Sequence, residues 1–367
     1  MELTQKAHLT QADVLSALKN VMDPELGKDL VSLNMIRNIR IEKKKVSFSL
    51  VLTTHACPLK KELESAAKKA VEEIPGVEDV KVEVTAEVPQ AKKLPQKEAI
   101  PGVKNTIAVA SGKGGVGKST VSVNIALALA KKGSKVGILD IDIYGPSIPT
   151  MMGIHKPLEM TEDKMLLPLE NYGVKLISVG FMLDEETPLI WRGPLVMQLV
   201  QQFLKGVDWG DIDYLVIDLP PGTGDAQLTL VQTIPLTGAI VVTTPQDVAL
   251  IDARRAIKMF GEVSVPILGI VENMSQFICP HCGKSTEIFS RGGGEKTSER
   301  YKVPFLGSIP IDIKIREGGD SGKPVVVGSP DSPETLEFIK IAEKVASKIS
   351  VLDITCETSS AAANRPF

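Results

Sequence analysis

An α/β fold, a mostly parallel sheet covered by helices on both faces and preceded by a small α+β domain, follows from three observations. From residue 106 onward, apolar runs of strand length alternate with helical segments. The first of those strands runs into a glycine-rich loop and then a helix. Ahead of it lie two amphipathic helices, hairpin signals and a proline-rich break. Continuous apolar strands separated by helices imply parallel pairing with both faces buried.

The chain as a whole sets the class. Its 367 residues allow one large or two modest domains. With 43% hydrophobic and 24% charged residues it has the composition of a globular protein. A net charge of −3 gives no general attraction to nucleic acid or anionic lipid. No apolar run reaches the length of a membrane span. The first eight residues, MELTQKAH, lack a secretory core and an Arg-rich transit bias. Of four cysteines, two form a C-x-x-C pair, which argues against a disulfide framework. The expectation is a cytoplasmic protein with neither nucleic acid nor membrane as partner.

Residues 1–88 read as the α+β domain. Thr10-x-x-Asp13 opens a helix as a capping box, with Val14, Leu15, Leu18 and Val21 on its apolar face. Asp23-Pro24-Glu25-Leu26-Gly27 ends it. Residues 36–41 and 46–52 read as strands across a turn. Pro58 starts a second helix carrying Leu59, Leu63, Ala66, Ala67 and Ala70, and Pro75-Gly76 leads into a last strand over 80–88. Residues 89–105, with three prolines and little periodicity, read as a linker.

Residues 106–352 read as the larger domain. A strand over 106–110 leads into Ser111-Gly112-Lys113-Gly114-Gly115-Val116-Gly117-Lys118-Ser119-Thr120. Gly112, Gly117, Lys118 and Ser119 fit G-x-x-x-x-G-K-[ST], in which backbone N–H groups cradle phosphates and the lysine reaches the β/γ oxygens. The Ser119 hydroxyl is the expected Mg²⁺ ligand. Val121, Val123, Ile125, Ala126, Leu129 and Ala130 then recur at helical spacing, so free N–H groups and a helix dipole point at the anion. Lys113 is surplus to this pattern, and a second cation there suggests that the loop serves more than one subunit. Further strands are expected at 135–141, 174–179, 214–219, 239–243 and 267–271, and helices at 247–260 and 333–349. Residues 353–367 are small and polar and are expected to be a disordered tail.

Two acidic strand ends complete the nucleotide site. Asp218, after four apolar strand residues, fits the Mg²⁺-side partner of a phosphate-binding loop. Gly222 and Gly224 after it give the backbone freedom to respond to loss of the γ-phosphate. Asp142 is placed to orient the attacking water, while Asp140 serves the turn or a neighbouring hydroxyl.

Cys279-Pro280-His281-Cys282 can turn two thiolates toward one metal, which is half of a tetrahedral site. Two copies of Cys279 and Cys282 across a two-fold axis would supply the rest. Zinc, an iron–sulfur cluster and a redox dithiol all remain open from spacing alone. His281 reads as a solvent-facing turn residue. Cys57, at a strand-to-helix turn beside His55, reads either as a metal-relaying thiol of lowered pKa or as a packing residue.

SGKGGVGKST, DIDIYGPS (140–147), WRGP (191–194), DLPPGTGD (218–225), TTPQDVAL (243–250), VENMS (271–275) and IREGGDSGKPVV (315–326) occur in that order. Together they resemble the Mrp/ApbC/Nbp35 group of deviant-Walker-A ATPases, relatives of MinD, ParA and nitrogenase iron protein, over residues 100–350. DPELGKDLVSLNMI (23–36) and TTHACP (53–58) resemble the MIP18 (DUF59) domain. The resemblance implies a P-loop ATPase, acting as a homodimer, that carries a bridging [4Fe–4S] cluster at Cys279 and Cys282. It would deliver that cluster to apoproteins and work with cluster scaffold proteins. By the same resemblance Lys113 crosses a nucleotide-sandwich dimer, and Asp142 and Asp218 lie in switches I and II. Asn273 matches the residue that reads adenine, favouring ATP. A MinD/ParA-like positioning ATPase, a zinc-bridged dimer and a nitrogenase-type electron donor are the alternatives.

Overall fold

Alternating and periodic apolar residues become two separate cores in the computed structural model, which describes residues 9–91, 97–182, 193–279 and 281–363. One unit comprises the chain up to Pro89 together with the chain from Ser350, and the other Gln90–Ile349.

In the first unit, α1 (Gln11–Leu18) starts at the expected capping box. The Thr10 hydroxyl accepts the Asp13 N–H at 3.3 Å, and the Asp13 carboxylate accepts the Thr10 N–H at 2.9 Å. Strands β1 (Ile36–Glu42) and β2 (Lys45–Leu52) form an antiparallel hairpin. The helix α2 (Lys60–Glu72) crosses over, so β3 (Asp79–Ala86) returns parallel to β2. Leu63, Ala67 and Val71 lie four apart on one stripe of α2 and pack with Val14, Leu18, Phe48 and Leu50. The Asp23 carboxylate ties the DPELG turn by accepting the N–H groups of Glu25 and Leu26.

The second unit begins inside the segment read as linker, because β4 spans Val103–Ala110. Lys97 is docked as well, its ammonium donating to the carbonyls of Val231 and Ile234 at 2.9 Å. Then follow α3 (Lys118–Lys131), β5 (Val136–Asp140), α4 (Ile148–Met151), β6 (Leu169–Asn171) and β7 (Val174–Ser178). Next come α5 (Gly193–Lys205), β8 (Ile212–Asp218), α6 (Asp225–Thr233), β9 (Gly238–Thr243), α7 (Asp247–Glu262) and β10 (Ile267–Glu272). The unit closes with α8 (Gly293–Tyr301), β11 (Phe305–Ser308), α9 (Ile313–Asp320), α10 (Val325–Gly328) and the part of α11 (Pro333–Ala363) up to Ile349.

Eight of the described strands form one sheet in the order β6-β7-β5-β8-β4-β9-β10-β11. Only the edge pair β6–β7 is antiparallel. All seven residues of β8 are buried, as a strand covered on both faces requires. On one face Ala108, Leu139, Leu215, Ile217 and Val241 pack with Phe203, Trp209 and Phe260.

Helix α11 continues past Ile349 to Ala363, into the segment expected as a tail, of which residues 364–367 lie outside the described residues. Elongating an existing helix adds a hydrogen bond for each residue ordered, and Ala361–Ala363 are good helix formers, so the polar composition does not stop it. Helices α5, α6 and α8 and the strands β6 and β11 are also additions to the elements expected from periodicity.

Candidate functional site

Strands β5, β8 and β4 are neighbours, so their carboxyl ends deliver side chains to one crevice. Asp218, ending β8, sits level with Asp140 on β5 and Val109 on β4. The glycine loop leaves β4 at this level and enters α3. Gly117, just ahead of α3, has φ +82°, and a Cβ there would lie 2.1 Å from the Asn273 amide nitrogen. Gly112 meets α7: a Cβ would lie 2.3 Å from the Asp252 carbonyl. Both positions exclude a side chain because a neighbour occupies its space.

The charged centre is compact and buried. Lys118 places its ammonium 2.6 Å from Asp218 Oδ2 and 3.2 Å from Asp142 Oδ2. Ser119 donates to the same Asp218 oxygen at 2.6 Å, and Ser122 to Oδ1 at 2.5 Å. Burial alone would pull the Lys118 pKa down, but Asp218 and then Asp142 outweigh it and hold the group above the usual lysine range. Ser122 carries no signal in the sequence. It lies one turn into α3, outside the loop motif, and only the placement of β8 beside β4 brings Asp218 to it.

Asp140 lies behind this cluster, fully buried. It accepts the Ser178 hydroxyl at 2.8 Å and the Asp142 N–H at 3.1 Å. Burial and then the neighbouring Asp218 push its carboxyl up to about 7, against those hydrogen bonds and the Lys118 charge. Asp140 is expected from the sequence to serve the turn or a neighbouring hydroxyl, and these contacts give it one of each. Asp142 in turn accepts the Tyr144 N–H at 3.2 Å on Oδ1.

A cleft of about 340 Å³ opens over the cluster, lined by Gly114, Gly115, Gly117, Lys118, Ser119 and Thr120 of the loop and by Asp142 and Tyr144. Backbone N–H groups and an ammonium suit a polyanion there, and the Ser119 and Asp218 oxygens are the donor set a hard divalent cation takes. Val116 is buried and turns its carbonyl to Asn273, whose amide donates at 2.9 Å. Asn273 thus holds the loop, a role beyond the one the resemblance implies. Lys113 is exposed.

Cys279 and Cys282 sit at the tip of a small hairpin in which Phe277–Ile278 pairs with Ser285–Thr286. Cys279 N–H donates to the Lys284 carbonyl at 3.0 Å, and Gly283 N–H to the Cys279 carbonyl at 2.9 Å. Both thiols are free; Cys279 is half-buried and Cys282 exposed. Hydrogen bonds from the Cys282 and then the His281 backbone lower the Cys279 pKa, favouring the thiolate that a metal needs. Among the described residues no group of three or more His, Cys, Asp or Glu side chains could hold a metal. Cys57 lies in the first unit, half-buried, just ahead of α2. Trp191, Arg192 and Pro280 lie outside the described residues.

A parallel sheet with a glycine loop opening a helix, and with Lys118, Ser119 and Asp218 converging at its mouth, defines a P-loop nucleoside triphosphatase. The family described as NUBPL iron-transfer P-loop NTPase matches residues 102–346, and that described as iron-sulfur cluster assembly protein matches residues 11–84. The chain belongs to the NUBPL iron-transfer P-loop NTPase family. It is 52% identical to an iron-sulfur cluster carrier protein of Synechocystis, over 94% of this chain and 99% of that one. Its identity to the protein of the same description from Escherichia coli is 43%, over 92% of each chain. A nucleotide-binding protein of Archaeoglobus fulgidus, solved with ADP, superposes with a TM-score of 0.57 and 40% identity, over 65% of this chain and 93% of that one. No helix among the described residues is long and apolar enough to cross a membrane.

Proposed function

We propose that this protein binds and slowly hydrolyses ATP and carries a [4Fe–4S] cluster, held between Cys279 and Cys282 of two copies, to apoproteins in the cytoplasm. The observation that carries the reading is the half site. Two accessible thiols at a hairpin tip, with no further ligand group among the described residues, need a second pair. A two-fold homodimer supplies one, and its exposed cluster is accessible both to scaffold proteins that load it and to recipients. The relatives described as iron-sulfur cluster carriers support the same conclusion.

In this reading the loop N–H groups of Gly112–Thr120 cradle the ATP phosphates, with Lys118 on the β and γ oxygens. Ser119 and Asp218 offer only oxygen donors, 2.6 Å apart, and so fit Mg²⁺. Magnesium supplies neutralisation of β/γ-phosphate charge there. Asp142 orients the attacking water. Lys113, exposed beside the loop, reaches the partner's nucleotide and adds positive charge only once the dimer has closed. Asn273 keeps one amide proton and its side-chain oxygen for the adenine.

Anaerobic reconstitution with iron and sulfide tests the carrier reading. The expected result is about four iron and four sulfide per dimer, and neither in Cys279→Ser/Cys282→Ser, with ATP binding retained by the variant. Equal loading of the variant, or zinc without sulfide in the native protein, refutes the reading.

A further inference from the structure

The cysteine hairpin belongs to an excursion, residues 273–292, that leaves the sheet at the end of β10 and returns at the start of α8. Glu272, the last residue of β10, is fully buried. Its carboxylate accepts the N–H of Gly292 at 3.0 Å and of Gly294 at 2.6 Å, on either side of the point where α8 begins. Gly294 approaches so closely that a Cβ would lie 3.0 Å from Glu272 Cβ. One side chain at the departure point therefore closes the far end of the excursion, through charge-assisted bonds at a helix N-terminus.

The departing strand is held as well. Asn273 N–H donates to the Thr243 carbonyl at 2.8 Å, and Ser275 N–H to the Ile309 carbonyl at 3.0 Å. The Asn273 side chain is the one that grips Val116 and fills the space beside Gly117. Two consecutive side chains thus face opposite tasks. Asn273 grips the nucleotide loop, and Glu272 closes the loop that bears Cys279 and Cys282.

We propose that Glu272 is a positioning residue that makes the cysteine loop follow the P-loop, so that nucleotide occupancy is felt at Cys279 and Cys282. The inference rests on the reading of the P-loop as an ATP site, and not on the identity of the metal cargo. Its physical basis is a contiguous set of hydrogen bonds, buried except at Gly292, from Val116 through Asn273 and the adjoining Glu272 to Gly292 and Gly294. Loosening either end of the excursion breaks that continuity.

The test uses the full-length, cluster-free protein. Iodoacetamide alkylation of Cys279 and Cys282 is followed residue by residue by mass spectrometry, with and without saturating Mg-ATP, and ATP affinity is measured separately. In the native protein ATP should change the alkylation rate about fivefold or more, the usual size of a coupling between two sites. Glu272→Gln sets an amide N–H against a backbone N–H. It should reduce the ATP effect to less than about twofold while ATP affinity stays within about threefold. Gly294→Ala, which pushes on the same contact from the helix side, should do likewise and carries the test if the first variant fails to fold. ATP binding that leaves the native cysteines unaffected, or a full ATP effect in a folded variant, overturns this proposal alone. Absence of ATP binding by the native protein overturns the ATP-site reading and the proposal with it.

Discussion

Replacing Asp140 by Asn should make the protein more stable at pH 8 and change the slope of stability against pH. The carboxyl of Asp140 is fully buried between Ser178 and the Asp142 backbone and is pushed up to about 7, against an ordinary 3.8. Between those two values the folded chain keeps a proton that the unfolded chain has released, so stability falls as pH rises. The loss is complete above about pH 7 and absent well below pH 4. At 1.36 kcal/mol per pH unit, this one group removes about 3 kcal/mol between pH 5 and pH 8. Asn cannot titrate and has the shape of the protonated acid, and the Ser178 hydroxyl can reverse to accept its amide. The thermal midpoint of Asp140→Asn should therefore gain on the native protein by about 6–12 °C between pH 5 and pH 8. A constant offset between the two proteins across that range would show that Asp140 is ionised throughout, and would refute the reasoning.

Lys118→Ala should cost more than a lost ligand contact. It leaves Asp218 and Asp142 buried without their cation, a loss on the order of 3–5 kcal/mol in denaturation experiments, and tight ATP binding should disappear in equilibrium titration. Lys113→Ala removes an exposed side chain and should leave the thermal midpoint and ATP affinity unchanged, while turnover in a phosphate-release assay falls by about 10³-fold or more. Unchanged turnover would remove Lys113 from the mechanism.

The glycine loop was legible because its motif, its strand and its helix are contiguous, and each supports the others. Asp218 was legible because it ends an apolar strand, and Asp142 because it follows one by two residues. Ser122, Ser178 and Glu272 were not, since each acquires its role through partners 20 or more positions away. Their residue types occur everywhere on protein surfaces, and only the strand order brings them to the site. The edge strand β6 has three residues, too few for a period to register. The early start of β4 was hidden because Val103, Lys104 and Asn105 follow a proline-rich run. In α11 the small, polar composition carries no periodic apolar signal, yet a helix already packed upstream needs only modest propensity to continue.

The position of β4 also bears on how the chain is made. Both hydrogen-bonding edges of this strand are filled by β8 and β9, which begin about 100 residues or more after β4 ends. At ribosomal rates the strand leading into the P-loop emerges about 5–20 s before β8. During that interval β4, apolar over most of its length, has neither of its final neighbours and is open to wrong pairing. The sheet that places the nucleotide site at its centre therefore makes the site's own strand wait on the ribosome, where a chaperone has most to gain by covering it.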